Sequence, residues 1–274
     1  MTTEDSFLRA ITSAIDDRTP RLVFADWLDD HGDPRAEWLR LDCELAGLGQ
    51  RDDRRPALEA RKRELWDAHR EGLVGWERRF ALARIKDKVR RSPESHGLYG
   101  AGATHRGRLG PALSEDELTA FEQEHRVALP EEYRAFLREI GNGGLGPGDG
   151  LSPLTGGAYT GAAEGDLAVP FPLSFRSWDG EERFSGEPGV LYLATPDEPW
   201  ASVYLVVTGK DRGLMWGFGH IHAGWFPQAP TCEGDQAATV DRPPRGFLRW
   251  YEDWLDALLS GEHAGEGELA EGAG

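Results

Sequence analysis

The sequence predicts an α+β fold with a small all-helical domain in front of it, and three observations lead there. Residues 1–91 repeat apolar side chains at helical spacing between proline and glycine punctuation. A glycine-rich stretch without periodicity follows. The remainder alternates short amphipathic helices with aromatic, β-branched runs of six or seven residues. At 274 residues and 39% hydrophobic content, the chain has room for one large domain or two modest ones.

Segment 4–16 puts Phe7, Leu8, Ile11 and Ile15 on one helical face. Thr19-Pro20 offers an N-cap and an N1 proline for a second helix, RLVFADWLDDH, which Gly32 closes. Asp33-Pro34 repeats the start signal for a third helix, with Trp38, Leu41 and Leu45 on one side and Trp27 and Trp38 as core anchors of the helical part. The run PALEARKRELWDAHREGLVGWERRFALARIKDKVRR is rich in strong helix formers and reads as a fourth and a fifth helix. Residues 92–112 read as a flexible linker.

The second domain, 113–260, begins on a capping box of Ser114 and Glu117, with Leu118 and Phe121 facing inward. Pro130 starts another helix, Glu131 and Glu132 sit at its positive end, and Tyr133, Phe136, Leu137 and Ile140 mark the buried face. GVLYLA, SVYLVV and GLMWGFG read as strands separated by the turns PDEPW and TGKDRG. GFLRWYEDWLDALL returns to helix with a stripe of Phe247, Trp250, Tyr251, Trp254 and Leu258. Residues 261–274 form an acidic, glycine-rich tail read as disordered.

Little in the chain points to catalysis. Gly141–Gly146, GNGGLG, has the glycine spacing of a pyrophosphate cradle, but a helix ends there and none opens after it. Phosphate binds the amides of a following helix, so the motif reads as a helix C-cap and a turn with positive φ. No cofactor is expected. His220 and His222 stand at strand spacing without an evident third ligand, and no metal is assigned to them. Neither G-x-S-x-G nor a nucleophilic cysteine setting occurs. The two cysteines, Cys43 and Cys232, lie far apart, the N-terminus lacks an apolar signal core, and no run is long enough to span a membrane; together these predict a cytoplasmic protein.

Charge is unevenly placed. Residues 1–95 hold 19 Lys+Arg against 20 Asp+Glu, whereas residues 96–274 hold 12 against 28. Such acidity repels nucleic acid and attracts basic partners. Trp178, Trp200 and Trp225 fall in loop-like settings. Trp178 is followed by Asp179, Glu181, Glu182 and Glu187, and the next turn adds Asp197 and Glu198 to Trp200. Aromatic anchors in a charged rim are the composition of a protein interface, and these eight residues are the predicted partner-binding set. The other reading is a solvated acidic loop.

Two resemblances rest on these residues. EDSFLRAI with RLVFADWLDDHGDPRAEWLRL, spanning residues 4–45, resembles the bacterial repeat-companion domain, a helical module with no settled biochemical role. LSEDELTAFEQEH, LPEEYRAFLREIGNGGLGPG, GLSPL, the strand region and GFLRWYEDWLDALL, spanning residues 114–259, resemble the SUKH superfamily of Smi/Knr-type proteins. Its most specific piece is LP-x-x-Y-x-x-F-L followed by N-G-G; the long run TGGAYTGAAEGDLAVPFPLSFRSW departs from the pattern. The resemblance implies a mixed β-sheet flanked by helices and no shared catalytic set. It implies a non-catalytic immunity protein that neutralises a basic, nucleic-acid-directed toxin by stoichiometric binding. Eukaryotic relatives imply the alternative of a regulatory scaffold that docks a partner through its helical N-terminal domain.

Overall fold

A computed structural model describes residues 2–49, 51–92, 108–148, 150–155, 165–178, 186–195, 201–219, 224–228 and 244–260. The chain divides into two compact units, Met1–Arg84 and Ile85–Gly274. Helices α1 (Thr3–Ser13), α2 (Thr19–Asp30), α3 (Arg35–Leu45) and α4 (Arg55–Arg91) come first, so the division falls inside α4 rather than at its end.

In the first unit, local signals and buried faces agree. Thr2 and Asp5 close a reciprocal capping box on α1. The starts of α2 and α3 differ from expectation: Thr19 is already helical, and the capping acceptors are aspartates placed two residues ahead. Asp17 Oδ1 accepts the Thr19 N–H at 2.8 Å, and Asp33 Oδ1 accepts the Arg35 N–H at 3.0 Å. Gly32, at φ +67, ends α2 as expected in a Schellman motif: its N–H donates to the Asp29 carbonyl and that of Asp33 to the Leu28 carbonyl. The α4 span is two helical pieces meeting at His69, whose φ −125 and ψ 22 leave the helical region. Leu8, Ile11, Phe24, Leu28, Trp38 and Phe80 fill the core, while Trp27 packs at its margin. Arg21 is also buried; it donates to the Ile15 carbonyl at 2.8 Å, with its guanidinium 5.7 Å from the Phe80 ring centroid.

The second unit contains α5 (Glu115–His125), α6 (Glu131–Glu139), β1 (Val190–Ala194), β2 (Ala201–Val206), β3 (Met215–Gly219), β4 (Gly224–Pro227) and α7 (Phe247–Ser260). The four strands form one sheet in the order β1-β2-β3-β4, antiparallel at every step. The α+β class is therefore met, but the mixed sheet is corrected to a meander. Connections of eight residues or fewer cannot carry a parallel crossover, which needs a dozen or more. Among the described residues, parallel pairing is limited to a bridge between Phe171 and Gly209.

The capping box at Ser114 is present: Glu117 accepts the Ser114 N–H at 2.8 Å, and the Ser114 hydroxyl accepts the Glu117 N–H at 3.2 Å. On α6, Tyr133, Phe136 and Leu137 are buried and meet α7 edge to face. Ring centroids lie 4.8 Å apart for Tyr133–Phe247 and 5.0 Å for Phe136–Tyr251. The buried face of α7 is Phe247, Leu248, Tyr251, Glu252 and Leu255. Trp250, Trp254 and Leu258 are only half-buried, so the expected stripe is turned toward Leu248 and Glu252. The buried Glu252 is matched by a cation: Lys88, at the end of α4 and within this unit, reaches Glu252 at 2.9 Å and Asp256 at 2.7 Å.

Candidate partner-binding face

The glycine loop after α6 is structural. The N–H groups of Asn142, Gly144 and Leu145 donate to the carbonyls of Gly110, Leu151 and Arg108. Those amides are therefore unavailable to a phosphate. Asn142 is buried and ties the loop to the following chain, donating to the Thr155 carbonyl at 3.2 Å and accepting the Leu154 N–H at 2.7 Å. Residues 108–110, expected in the linker, thus pair with the loop; residues 93–107 of that segment lie outside the described residues.

Gly141 differs from its expected role. It does not have positive φ; it is a glycine because a Cβ there would stand 2.6 Å from the Gly110 carbonyl oxygen. Gly143, at φ +73, does have the left-handed conformation. Gly143→Val is expected to lower stability by about 1–2 kcal/mol from backbone strain alone, with more from contact against Pro153. Urea unfolding checks this, and micromolar ATP or NAD binding abolished by the same change would contradict the turn reading.

The chemically distinctive surface lies on the sheet. Strand alternation puts Val190, Tyr192, Tyr204, Val206, Trp216, Phe218 and Trp225 on one face, and Phe171, Leu173, Phe175 and Trp178 pack over them. Asp211, 3% exposed, fastens this covering segment. Its Oδ1 accepts the Ser174 hydroxyl at 2.9 Å, and its Oδ2 accepts the Phe175 N–H at 2.8 Å and the Trp216 indole N–H at 3.1 Å. Trp178 closes the edge by donating its indole N–H to the Trp225 carbonyl at 3.1 Å.

Beside this edge is a cleft of about 400 Å³ lined by Gly165, Gly186, Glu187, Pro188, Phe218 and Trp225. Glu187 accepts the Tyr204 hydroxyl at 2.6 Å. Burial, and then the neighbouring carboxylate, push the Tyr204 hydroxyl far above the ordinary tyrosine range, so it stays a proton donor to Glu187. Trp225 and Tyr204 lie edge to face with centroids 4.8 Å apart, and Phe218 stands 5.3 Å from Trp225. The Trp225 indole N–H is buried and has no acceptor among the described residues.

Of the predicted partner-binding set, Trp178 and Glu187 are half-buried and belong to this one face. Asp179, Glu181, Glu182, Asp197, Glu198 and Trp200 lie outside the described residues, as do His220 and His222. Trp225 is corrected: it is a strand residue in β4, 2% exposed, not a loop anchor. Its short strand, unanticipated in the sequence, pairs with β3 and buries the ring. Tyr204 and Phe218 were also missed. The available signal was alternation, since Trp216 and Phe218 at i and i+2 must share a face. Among the described residues no group of three His, Cys, Asp or Glu side chains is placed to hold a metal, and no helix is long and apolar enough to cross a membrane.

Residues 112–241 match the model of the SMI1 / KNR4 family (SUKH-1), a stretch that contains α5, α6, the four strands and the cleft and stops before α7. No curated protein and no solved structure matches the chain.

Proposed function

From the match of residues 112–241 to the SMI1 / KNR4 family (SUKH-1) model, we propose a non-catalytic immunity protein that neutralises a basic, nucleic-acid-directed toxin by binding it one to one. The observation that carries this reading is the aromatic, carboxylate-bearing cleft on the sheet face, within the matched residues. The −16 balance of residues 96–274 suits a partner whose own substrate is a polyanion. The non-catalytic reading is supported by the buried carboxylates: Asp211 spends both oxygens on fold-holding bonds, and Glu252 is paired with Lys88. We place the protein in the cytoplasm, where a buried thiol such as Cys43 stays reduced. The helical unit, read as a repeat-companion module, has its own core, which leaves a scaffold role for it beside the neutralising domain.

The test is association with the product of an adjacent gene carrying a nuclease- or deaminase-type module. A one-to-one complex should form, abolish the toxin's activity at equimolar ratio, and associate more slowly as salt rises. Reversing Asp179, Glu181 and Glu182 to lysine is expected to slow association about tenfold while leaving the melting temperature nearly unchanged. Salt-insensitive association untouched by the reversal would remove these three acidic residues from the interface. A complex that leaves the activity intact would favour the scaffold.

A further inference from the structure

We propose that the cleft between Glu187 and Phe218 is a receptor for one basic side chain of the partner, specifically an arginine guanidinium. The proposal rests on the reading of this domain as a protein binder and names the chemistry of its contact.

The first support is the carboxylate. Glu187 Oε1 is held by the Tyr204 hydroxyl at 2.6 Å, while its Oε2 makes no hydrogen bond among the described residues. A half-buried carboxylate oriented by one donor has its second oxygen available for a charge-assisted bond. Its backbone is braced as well: a Cβ on Gly165 would stand 2.3 Å from the Glu187 carbonyl oxygen, and the Gly189 N–H donates to the Asp166 carbonyl at 3.2 Å. The site is therefore held in place before anything binds.

The second support is the walls. Phe218 is half-buried and Trp225 lies behind it with centroids 5.3 Å apart, so the cleft pairs aromatic surface with an anionic end. Aromatic faces attract cations and a carboxylate repels anions, so the two features select the same charge. Gly165 and Gly186 bring no side chain into the space, and about 400 Å³ accommodates a planar guanidinium with its methylene stem. Arginine is preferred to lysine because its guanidinium is flat, weakly hydrated and stacks on rings while bonding a carboxylate in plane. The acidic balance of residues 96–274, 28 Asp+Glu against 12 Lys+Arg, favours the same sign of ligand at longer range.

The test uses N-acetyl-L-arginine amide titrated into the full chain, followed by the indole N–H resonances and tryptophan fluorescence. The citrulline analogue serves as a neutral control of the same shape, and N-acetyl-L-lysine amide as a second cation. Saturable binding with a dissociation constant of about 1–10 mM is expected for arginine, several-fold weaker binding for lysine, and none for citrulline. Glu187→Gln should weaken arginine binding about tenfold, and Phe218→Leu by a smaller factor, both with melting temperatures close to the parent's. Equal responses to arginine and citrulline, or a Glu187→Gln protein that binds as the parent does, would overturn the proposal. Lysine binding as tightly as arginine would overturn the guanidinium assignment. The wild-type comparison alone decides the matter should either variant fail to fold. Because the probe is a free amino-acid derivative, failure here leaves toxin binding through another surface intact. Failure of the adjacent-gene experiment leaves the arginine result intact.

Discussion

Trp216→Ala is expected to cost about 3–5 kcal/mol of stability, the range for removing a large aromatic side chain from a core. Trp216 is fully buried at the centre of the sheet, 5.1 Å from Phe171 by ring centroids. It also donates its indole N–H to Asp211 at 3.1 Å, and Asp211 is the group that holds Ser174 and Phe175 in the segment over the sheet face. Truncation thus removes packing and disturbs a buried acceptor together. Trp216→Phe keeps most of the packing and loses the N–H, and should cost about 1–2 kcal/mol. Guanidinium unfolding measures both values. The alanine protein should additionally lose arginine binding at the neighbouring cleft when assayed below its melting temperature. A cost below about 1 kcal/mol would mean that the aromatic cluster is not the core of this domain.

The second large effect lies at Lys88. Its side chain is 13% exposed and its partner's, Glu252, only 4%, so Lys88→Met takes an ammonium away from a carboxylate that water scarcely reaches. Removing one member of such a pair costs about 3–5 kcal/mol, more than the intact pair contributes, because the remaining charge stays desolvated. The outer partner Asp256 is more than half exposed, so Asp256→Asn should cost less than about 1 kcal/mol. Replacing Lys88 and Glu252 together by methionine and leucine should recover much of the loss. The same geometry bears on dissection of the chain. A fragment beginning at residue 85 retains Lys88, together with Lys86, which pairs with Glu139 at 3.4 Å. A fragment beginning at residue 108 starts on the residue whose carbonyl accepts the Leu145 N–H, and lacks both lysines. The longer fragment should melt cooperatively and several degrees above the shorter. Equal melting temperatures would show that the last turns of α4 add nothing to the second unit.

Much of the fold was legible because its signals are local. The capping box at Ser114, the glycine closing α2 and the i, i+3, i+4 spacing on α6 each act over a few residues, where backbone hydrogen bonding and side-chain geometry decide the outcome. The aromatic and β-branched composition of GVLYLA, SVYLVV and GLMWGFG, set between turns, marked three strands for the same reason. β4 was not legible: four residues carry too little pattern, and GWFP becomes a strand by pairing with β3. The candidate site followed the same division. Trp178 and Glu187 could be named from composition, yet Tyr204 and Phe218 read only as strand residues. Trp225 read as a loop anchor when its ring was in fact buried.

By itself the sequence determined the order of the helices and the first three strands, the all-helical first part, the α+β second part and the acidic character of residues 96–274. Period, capping and charge are properties of neighbouring residues and survive without knowledge of distant contacts. Only the tertiary structure decided that the sheet is an antiparallel meander, that Glu252 faces inward on α7, and that the second unit begins within α4. It alone brought Glu187, Phe218 and Trp225 to one cleft, with Tyr204 bonded to Glu187. Each of these depends on groups far apart in the chain, Lys88 with Glu252 or Trp178 with Trp225. Their meeting is set by packing and desolvation across the whole unit, which no window of sequence contains.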